Sequence, residues 1–429
     1  MKNKVLIISP YFVPTNAADM HRVRTSLPYF EQLGWDAEVV TVDVRYADIV
    51  KDDLLLRSVP GNIKTHIVKA LPKKWTAKLG LGSLALRSLW YYYRYVNKLL
   101  KQGNYDLIYF STTQFPVCVL GAYWKKRFNI PYVIDMQDPW HSDYYRDKPK
   151  DQRPPKYWFS YRLNKYLEPI AMNHADGLIS VSELYINDLQ QRYLRLKTKP
   201  SATITFGAYL PDVEIAKRLA KQGQQRFDKQ YINIVYVGRG GDDMAPALSV
   251  LFESLQQSII ADAALFGRLK FHFIGTSYAP AGEGRPTILP IAKQYSVSEY
   301  VTEQIDRVSY YEALSLLQQA DALFIPGSDD PKYTASKLYP YLLSGKPLLS
   351  LFNSKSSAVG ILNEFGLRDN YSYDNTPDIG KKITCFFKRV IGGEHFNTQY
   401  NEAALHKYSA LNTTAQQCKL FNEVIHAKN

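Results

Sequence analysis

Nine short apolar runs constrain this chain more than any other feature. Lys4-Val5-Leu6-Ile7-Ile8-Ser9 is the first; runs at 37–42, 107–110, 132–135 and 177–181 follow, and then 232–237, 269–274, 322–325 and 347–351. Each is four to six residues long and rich in Val, Ile and Leu, as strands covered on both faces of a parallel sheet are. The stretches between them are long enough for crossover helices, and the first, from about Met20 to Leu33, ends at Gly34. This rhythm predicts an α/β chain of two Rossmann-like, doubly wound parallel-sheet domains facing a central cleft. It restarts at Ile232 after a polar, basic stretch, and 429 residues exceed what one core usually holds. The expected division is 1–207, 208–400, and a tail 401–429 whose apolar spacing (Leu405, Tyr408, Leu411, Leu420, Val424) makes it a helix packing back toward the first domain.

Charge distinguishes the halves. Residues 1–205 carry 30 Lys and Arg against 18 Asp and Glu, and residues 206–429 carry 23 against 22. Lys69 to Tyr105 holds eight cations and no acid, interleaved with Leu79, Leu81, Trp90, Tyr91 and Tyr92. Two readings fit: a helix on an anionic membrane surface, or a core helix with a solvated basic face. No nucleic-acid module accompanies the patch, so nucleic acid is not an expected partner. No apolar run reaches the length of a membrane span, and Met1 leads into a strand rather than a cleavable leader, so the expected location is the cytoplasm, with peripheral attachment to the inner face of the plasma membrane as the further option. Cys118, Cys385 and Cys418 are far apart and lack a C-x-x-C pair, which excludes a disulfide scaffold and leaves three thiols expected to be buried. His21 and His141 have no ligand spacing, and no metal or cofactor is expected.

Loops at the carboxyl ends of such strands are where phosphates bind. Val237-Gly238-Arg239-Gly240-Gly241 directly follows the first strand of the second half, and Arg239 there is suited to clamp a diphosphate bidentately; the alternative is a structural loop with an exposed Arg. Farther on, Pro340 is tolerated only near a helix start, which places that start around Ser336 to Leu338, beside Lys337, with Gly345 ending the helix. The alternative is an ordinary capped helix. Asp138, just past a buried strand where side chains enter the cleft, is a further candidate site residue, with Asp19 second; the alternative for Asp138 is a helix cap or turn residue. Tyr144, Tyr145 and Trp158 lie in a basic, Pro-bearing loop that reads as a lid or as plain surface.

Asp138-Pro139-Trp140, Ser180-Val181-Ser182-Glu183, Tyr236-Val237-Gly238-Arg239, Phe273-Ile274-Gly275 and Ser336-Lys337-Leu338-Tyr339-Pro340 through Pro347 occur in that order. Together they resemble the retaining sugar-nucleotide glycosyltransferases of the two-Rossmann-domain type, GT-B or family four. The resemblance implies transfer of a sugar from a nucleotide donor to a glycan or lipid-linked acceptor in cell-surface polysaccharide assembly, without a metal. It implies donor contacts from Gly238, Arg239, Gly275, Thr334, Ser336, Lys337 and Leu338, and acceptor contacts from Asn16, Asp19, Arg22 and Trp140. Asp138, Arg239 and Lys337 would carry the chemistry. The chain departs from that pattern where the family's paired Glu residues stand, having Lys332 and Pro340, and where a second diphosphate-binding Lys is expected, having Gly240-Gly241-Asp242-Asp243. A non-catalytic nucleotide-sugar or glycan-binding protein on the same fold is the competing reading.

Overall fold

The computed structural model describes residues 2–154, 156–279, 282–330, 337–396 and 400–427. It divides into two compact units, one formed by Met1–Gly207 with Ala410–Asn429 and the other by Ala208–Ser409.

In the first unit the strands are β1 (Asn3–Ile8), β2 (Trp35–Val42), β3 (Lys64–Val68), β4 (Leu107–Ser111), β5 (Tyr132–Met136), β6 (Gly177–Ser180) and β7 (Ser201–Thr203). They form a wholly parallel sheet in the order β3-β2-β1-β4-β5-β6-β7. The central strands are the apolar runs read from the sequence, buried from end to end in β4, β5 and β6. Edge strands β3 and β7 have no such run, because one side of an edge faces water and needs no apolar residue there. Helices α1 (Met20–Phe30), α2 (Leu84–Gln102) and α3 (Tyr157–Met172) belong to this unit.

The second unit repeats the plan with β8 (Ile232–Val237), β9 (Leu269–Ile274), β10 (Val301–Gln304), β11 (Ala322–Pro326), β12 (Leu348–Phe352) and β13 (Asn370–Ser372), ordered β10-β9-β8-β11-β12-β13 and again parallel. Leu210–Gln222 is a helix, and Tyr310 and Tyr311 donate their hydroxyls to its Asp212 at 2.8 and 2.7 Å. Helix α4 (Leu338–Leu343) starts within the expected window, has Pro340 at its third position, and ends at Gly345, whose φ of 71° is the left-handed value a helix stop uses.

The tail is two helices. Glu402–Lys407 lies in the second unit, and α5 (Ala410–His426) lies in the first, where Phe421 stacks on Phe30 and Gln417 donates to Ser26 at 3.0 Å. Gly207 ends the first stretch of that unit, and a Cβ there would stand 2.7 Å from Cα of Ala410, so only glycine fits. Cys118 and Cys418 are buried as expected; Cys385 is exposed, because its helix turns Phe386 and Phe387 inward instead.

The segment from Lys69 to Tyr105 is broken into Lys73–Thr76, Ala77–Leu79 and α2. Leu84, Ser88, Tyr92, Val96 and Leu100 form the buried stripe of α2, so this part is a core helix. Arg87 is buried as well, donating to the carbonyls of Leu71, Tyr46 and Gly82, and Asp48 from outside the segment pairs with Lys73 at 3.0 Å.

Candidate active site

In both sheets the strand order reverses beside the first strand of the unit, and the loops after β1 and β4, and after β8 and β11, flank those crevices, the usual ligand sites of doubly wound sheets.

In the second unit the crevice carries two cations, Arg239 and Lys337, with Asp243 and Asp329 beside them. Tyr236, near the end of β8, donates its hydroxyl to the carbonyl of Arg239 at 2.7 Å and accepts from the Lys337 ammonium at 2.6 Å. One side chain therefore joins the loop after β8 to the residue that precedes α4. Gly238 leaves room for this: a Cβ at that position would stand 2.2 Å from the Lys337 nitrogen. Burial, with Arg239 and Arg307 nearby, lowers the Lys337 pKa to about 7, which marks a cation held where it lacks a full counter-charge. Arg239 forks onto Asp243, with nitrogen–oxygen distances of 2.9 and 2.6 Å. Burial pushes the Asp243 carboxyl up, but the bonds and charge of Arg239 outweigh it and the group sits below its ordinary value. Asp243, in the stretch where a second cation was expected, thus orients the first. Tyr341 of α4 closes the arrangement, accepting from Val237 N–H at 2.7 Å and donating to its carbonyl at 3.1 Å.

Other expected donor residues have different roles. Leu338 is fully buried and packs in the core, so its side chain is closed to a ligand. Gly275 turns the chain after β9 at φ 76°, its N–H bonded to Gln304. Thr334 and Ser336, with the departure position Lys332, lie outside the described residues. Tyr236 and Arg307 were not read from the sequence; a Tyr inside a Val- and Ile-rich strand, one residue before a glycine loop, was the available signal for the first.

In the matching crevice of the first unit, two of the expected acceptor contacts, Asp19 and Arg22, are buried and bonded within the unit. Arg22 and Asp135, each at most 2% exposed, pair at 2.7 Å, and Arg22 also donates to the carbonyls of Ile204 and Thr205. Asp19 is equally buried and accepts from Thr112 Oγ1, Thr113 N–H and Thr113 Oγ1. A carboxylate at the end of a buried strand, Asp135, needed a cation, and Arg22 supplies it. Asn16 is half-buried, its N–H bonded to Val50.

Asp138 and Trp140 instead border a different cavity of about 580 Å³, lined also by Gln114, Phe115, Lys156 and Phe159 at the carboxyl ends of β4 and β5. Asp138 is exposed at its rim. Trp140 is buried, stacked on Phe115 at 5.6 Å, and tied twice to Asn164 of α3: its Nε1 donates to Oδ1 at 3.2 Å and its carbonyl accepts from Nδ2 at 3.3 Å. One turn along α3, the buried Glu168 accepts from His141 N–H at 2.8 Å and from Tyr193 at 2.8 Å, and pairs with Arg192. His141 thus anchors the loop through its backbone. Arg153 lies over Trp158 at 5.3 Å and Tyr145 contacts Tyr157, so the basic loop packs on the start of α3.

Residues 27–201 match the protein family described as Glycosyltransferase Family 4. No curated protein matches in sequence. Among solved structures, the chain resembles sucrose-phosphate synthase of Thermosynechococcus elongatus at TM-score 0.60 and 13% identity, covering 99% of this chain and 100% of that one. Anabaena HepE in complex with UDP gives TM-score 0.56 and 16% identity over 98% and 99%. The UDP-forming α,α-trehalose-phosphate synthase of Burkholderia xenovorans in complex with glucose-6-phosphate gives 0.60 and 12% over 98% and 100%. These structural likenesses concern the fold.

Proposed function

We propose that this chain is a glycosyltransferase of the two-domain α/β type, in which the second unit takes a nucleotide-sugar by its diphosphate and the first takes a glycan or lipid-linked acceptor in the cavity beside Asp138. The observation that supports this best is the convergence of Lys337 and the Arg239 loop on one Tyr236 hydroxyl, which brings two cations from separate loops to the carboxyl end of β8. A nucleoside diphosphate leaving group needs such charge, and the UDP bound by the Anabaena neighbour is a ligand of that class.

In this reading the bond from the anomeric carbon to the phosphate oxygen breaks, and Arg239 and Lys337 stabilise the charge gathering on the diphosphate. The acceptor hydroxyl attacks from the same face, its proton passes to the departing phosphate oxygen, and the configuration is retained. Asp138 orients that hydroxyl. We assign no metal to the step. Cell-surface polysaccharide assembly is the setting that the resemblance to the family suggests.

The test is release of nucleoside diphosphate from a panel of UDP-, GDP- and ADP-sugars, with the anomeric configuration of the product read by NMR. The wild type should turn over one of them with retention, and Arg239→Ala and Lys337→Ala should each lose about 100-fold in kcat/KM. Undiminished release by both variants removes the pair from the site.

A further inference from the structure

Large apolar side chains left in water are distributed unevenly. Among the described residues, twenty are exposed, and only Leu210, Ile260 and Tyr278 belong to the second unit. Nine of the twenty fall within two segments of the first unit, 71–81 and 144–170. On α3, Phe159, Tyr166 and Ile170 recur at the spacing of one helix face, and Tyr166 is 71% exposed. Trp75, 64% exposed, stands on the other segment with Leu71 and Leu81.

The two segments are neighbours. The Phe159 ring lies within 2.8 Å of where a Cβ on Gly80 would be, and the Lys156 ammonium bonds the Ala77 carbonyl at 2.7 Å. Lys69, Lys73, Lys74 and Lys78 accompany the first segment with no acid among them, and seven more Lys and Arg accompany residues 141–170 against four acids. Of those acids, Glu168 is buried on Arg192, and Asp143 and Asp147 are paired with Arg146.

We propose that this face, the outward side of α3 with residues 71–81, docks on an anionic lipid bilayer. Exposed Trp, Tyr and Phe ringed by Lys and Arg is the composition that a membrane interface selects, the rings settling at headgroup level and the cations meeting lipid phosphates. A protein-binding face would be expected to be poor in Lys at its centre, whereas here Lys74 lies beside Trp75. No helix among the described residues is long and apolar enough to cross a membrane, so the face lies on the surface rather than in it. The cavity beside Asp138 includes Phe159 in its wall, so docking brings its mouth to the lipid. The surface argument is independent of the reaction assigned above.

The test is co-sedimentation of the full chain with vesicles of phosphatidylcholine alone and of phosphatidylcholine mixed in equal parts with phosphatidylglycerol. The wild type should pellet with the mixed vesicles only, and more weakly as salt rises. Tyr166→Ser with Ile170→Ser, and separately Lys74→Glu with Lys78→Glu, should each lower partitioning about tenfold or more, whereas Ile260→Ser on the second unit should not change it. Circular dichroism and melting temperature matched to the wild type keep the comparison fair, because all these residues are exposed. Equal pelleting on both vesicle types, no pelleting at all, self-association that covers the face without lipid binding, or an effect of Ile260→Ser as large as that of the α3 pair each overturns the proposal.

Discussion

The two units share a strand order at their centres and treat the resulting crevice in opposite ways. In the first unit Arg22 and Asp135 neutralise each other there and Asp19 is consumed by Thr112 and Thr113. In the second, Arg239 is also paired, with Asp243, but that pair is partly exposed, and Lys337 rests on the neutral Tyr236 hydroxyl. Topology supplies the crevice, but the charges that line it decide whether it holds a ligand or a structural pair. Net charge runs the other way: the first unit carries 32 Lys and Arg against 19 acids, and the second 21 against 21. The basic excess therefore belongs to the first unit, not to the unit whose crevice carries Arg239 and Lys337.

The largest expected effect comes from breaking the closed crevice. Arg22→Met leaves the Asp135 carboxylate buried without its cation, which should cost about 3–5 kcal/mol of stability, read by urea denaturation. Adding Asp135→Leu should restore part of it, since neither charge then remains in the core. If Arg22→Met melts like the wild type, the pair is not the structural element this comparison makes it.

Opening the other crevice should cost binding rather than stability. Arg239→Ala and Lys337→Ala are expected to weaken UDP by about 1.5–3 kcal/mol each, the range for hydrogen bonds to charged groups, measured by calorimetry. The pH dependence is specific to Lys337. Its pKa is lowered to about 7 by burial, so the free protein loses this cation as pH rises through that value. UDP affinity should then fall by up to about tenfold for each pH unit above it, until binding itself restores the proton. Lys337→Ala should flatten that slope, and an unchanged slope in the variant would assign the titration to another group. Stability has the opposite sign: the unfolded chain keeps the Lys proton up to its ordinary value, so this group makes folding more favourable as pH rises from about 7 toward about 10.4.

How much of this was legible follows from which residues carry their environment with them. The central strands were readable because a strand covered on both faces admits almost only apolar residues. The edge strands β3, β7, β10 and β13 were not, since a half-wet strand such as Lys64–Val68 has no composition of its own. Arg239 and Lys337 were readable because a glycine loop after a strand and a Pro-limited helix start both fix where a neighbour lies. The burial of Asp19 and Arg22 was not readable: sequence gives two opposite charges in a loop and a helix, but not whether each faces a ligand or another buried side chain. The α3 stripe had helical spacing in plain view at 159, 166 and 170, yet periodicity gives a face without saying which way it points.

The smallest expected effect comes from the first unit's cavity beside Asp138. Asn164 lines the cavity and holds Trp140 through two bonds, one to the ring nitrogen and one to the carbonyl, and so fixes the loop that bears Asp138. Asn164→Ala removes both at about 1 kcal/mol each, part of which water regains because the site is only partly buried. The acceptor KM should rise a few-fold and kcat should fall less, while UDP affinity, which depends on residues of the other unit, stays at the wild-type value. Asn164→Gln, whose longer amide can re-form one of the bonds, should recover part of the loss, whereas a variant acting only through general loosening would show no such recovery. A change in UDP affinity as large as the change in acceptor KM would mean that Asn164 supports the two units alike, and the separation of acceptor and donor between them would no longer stand.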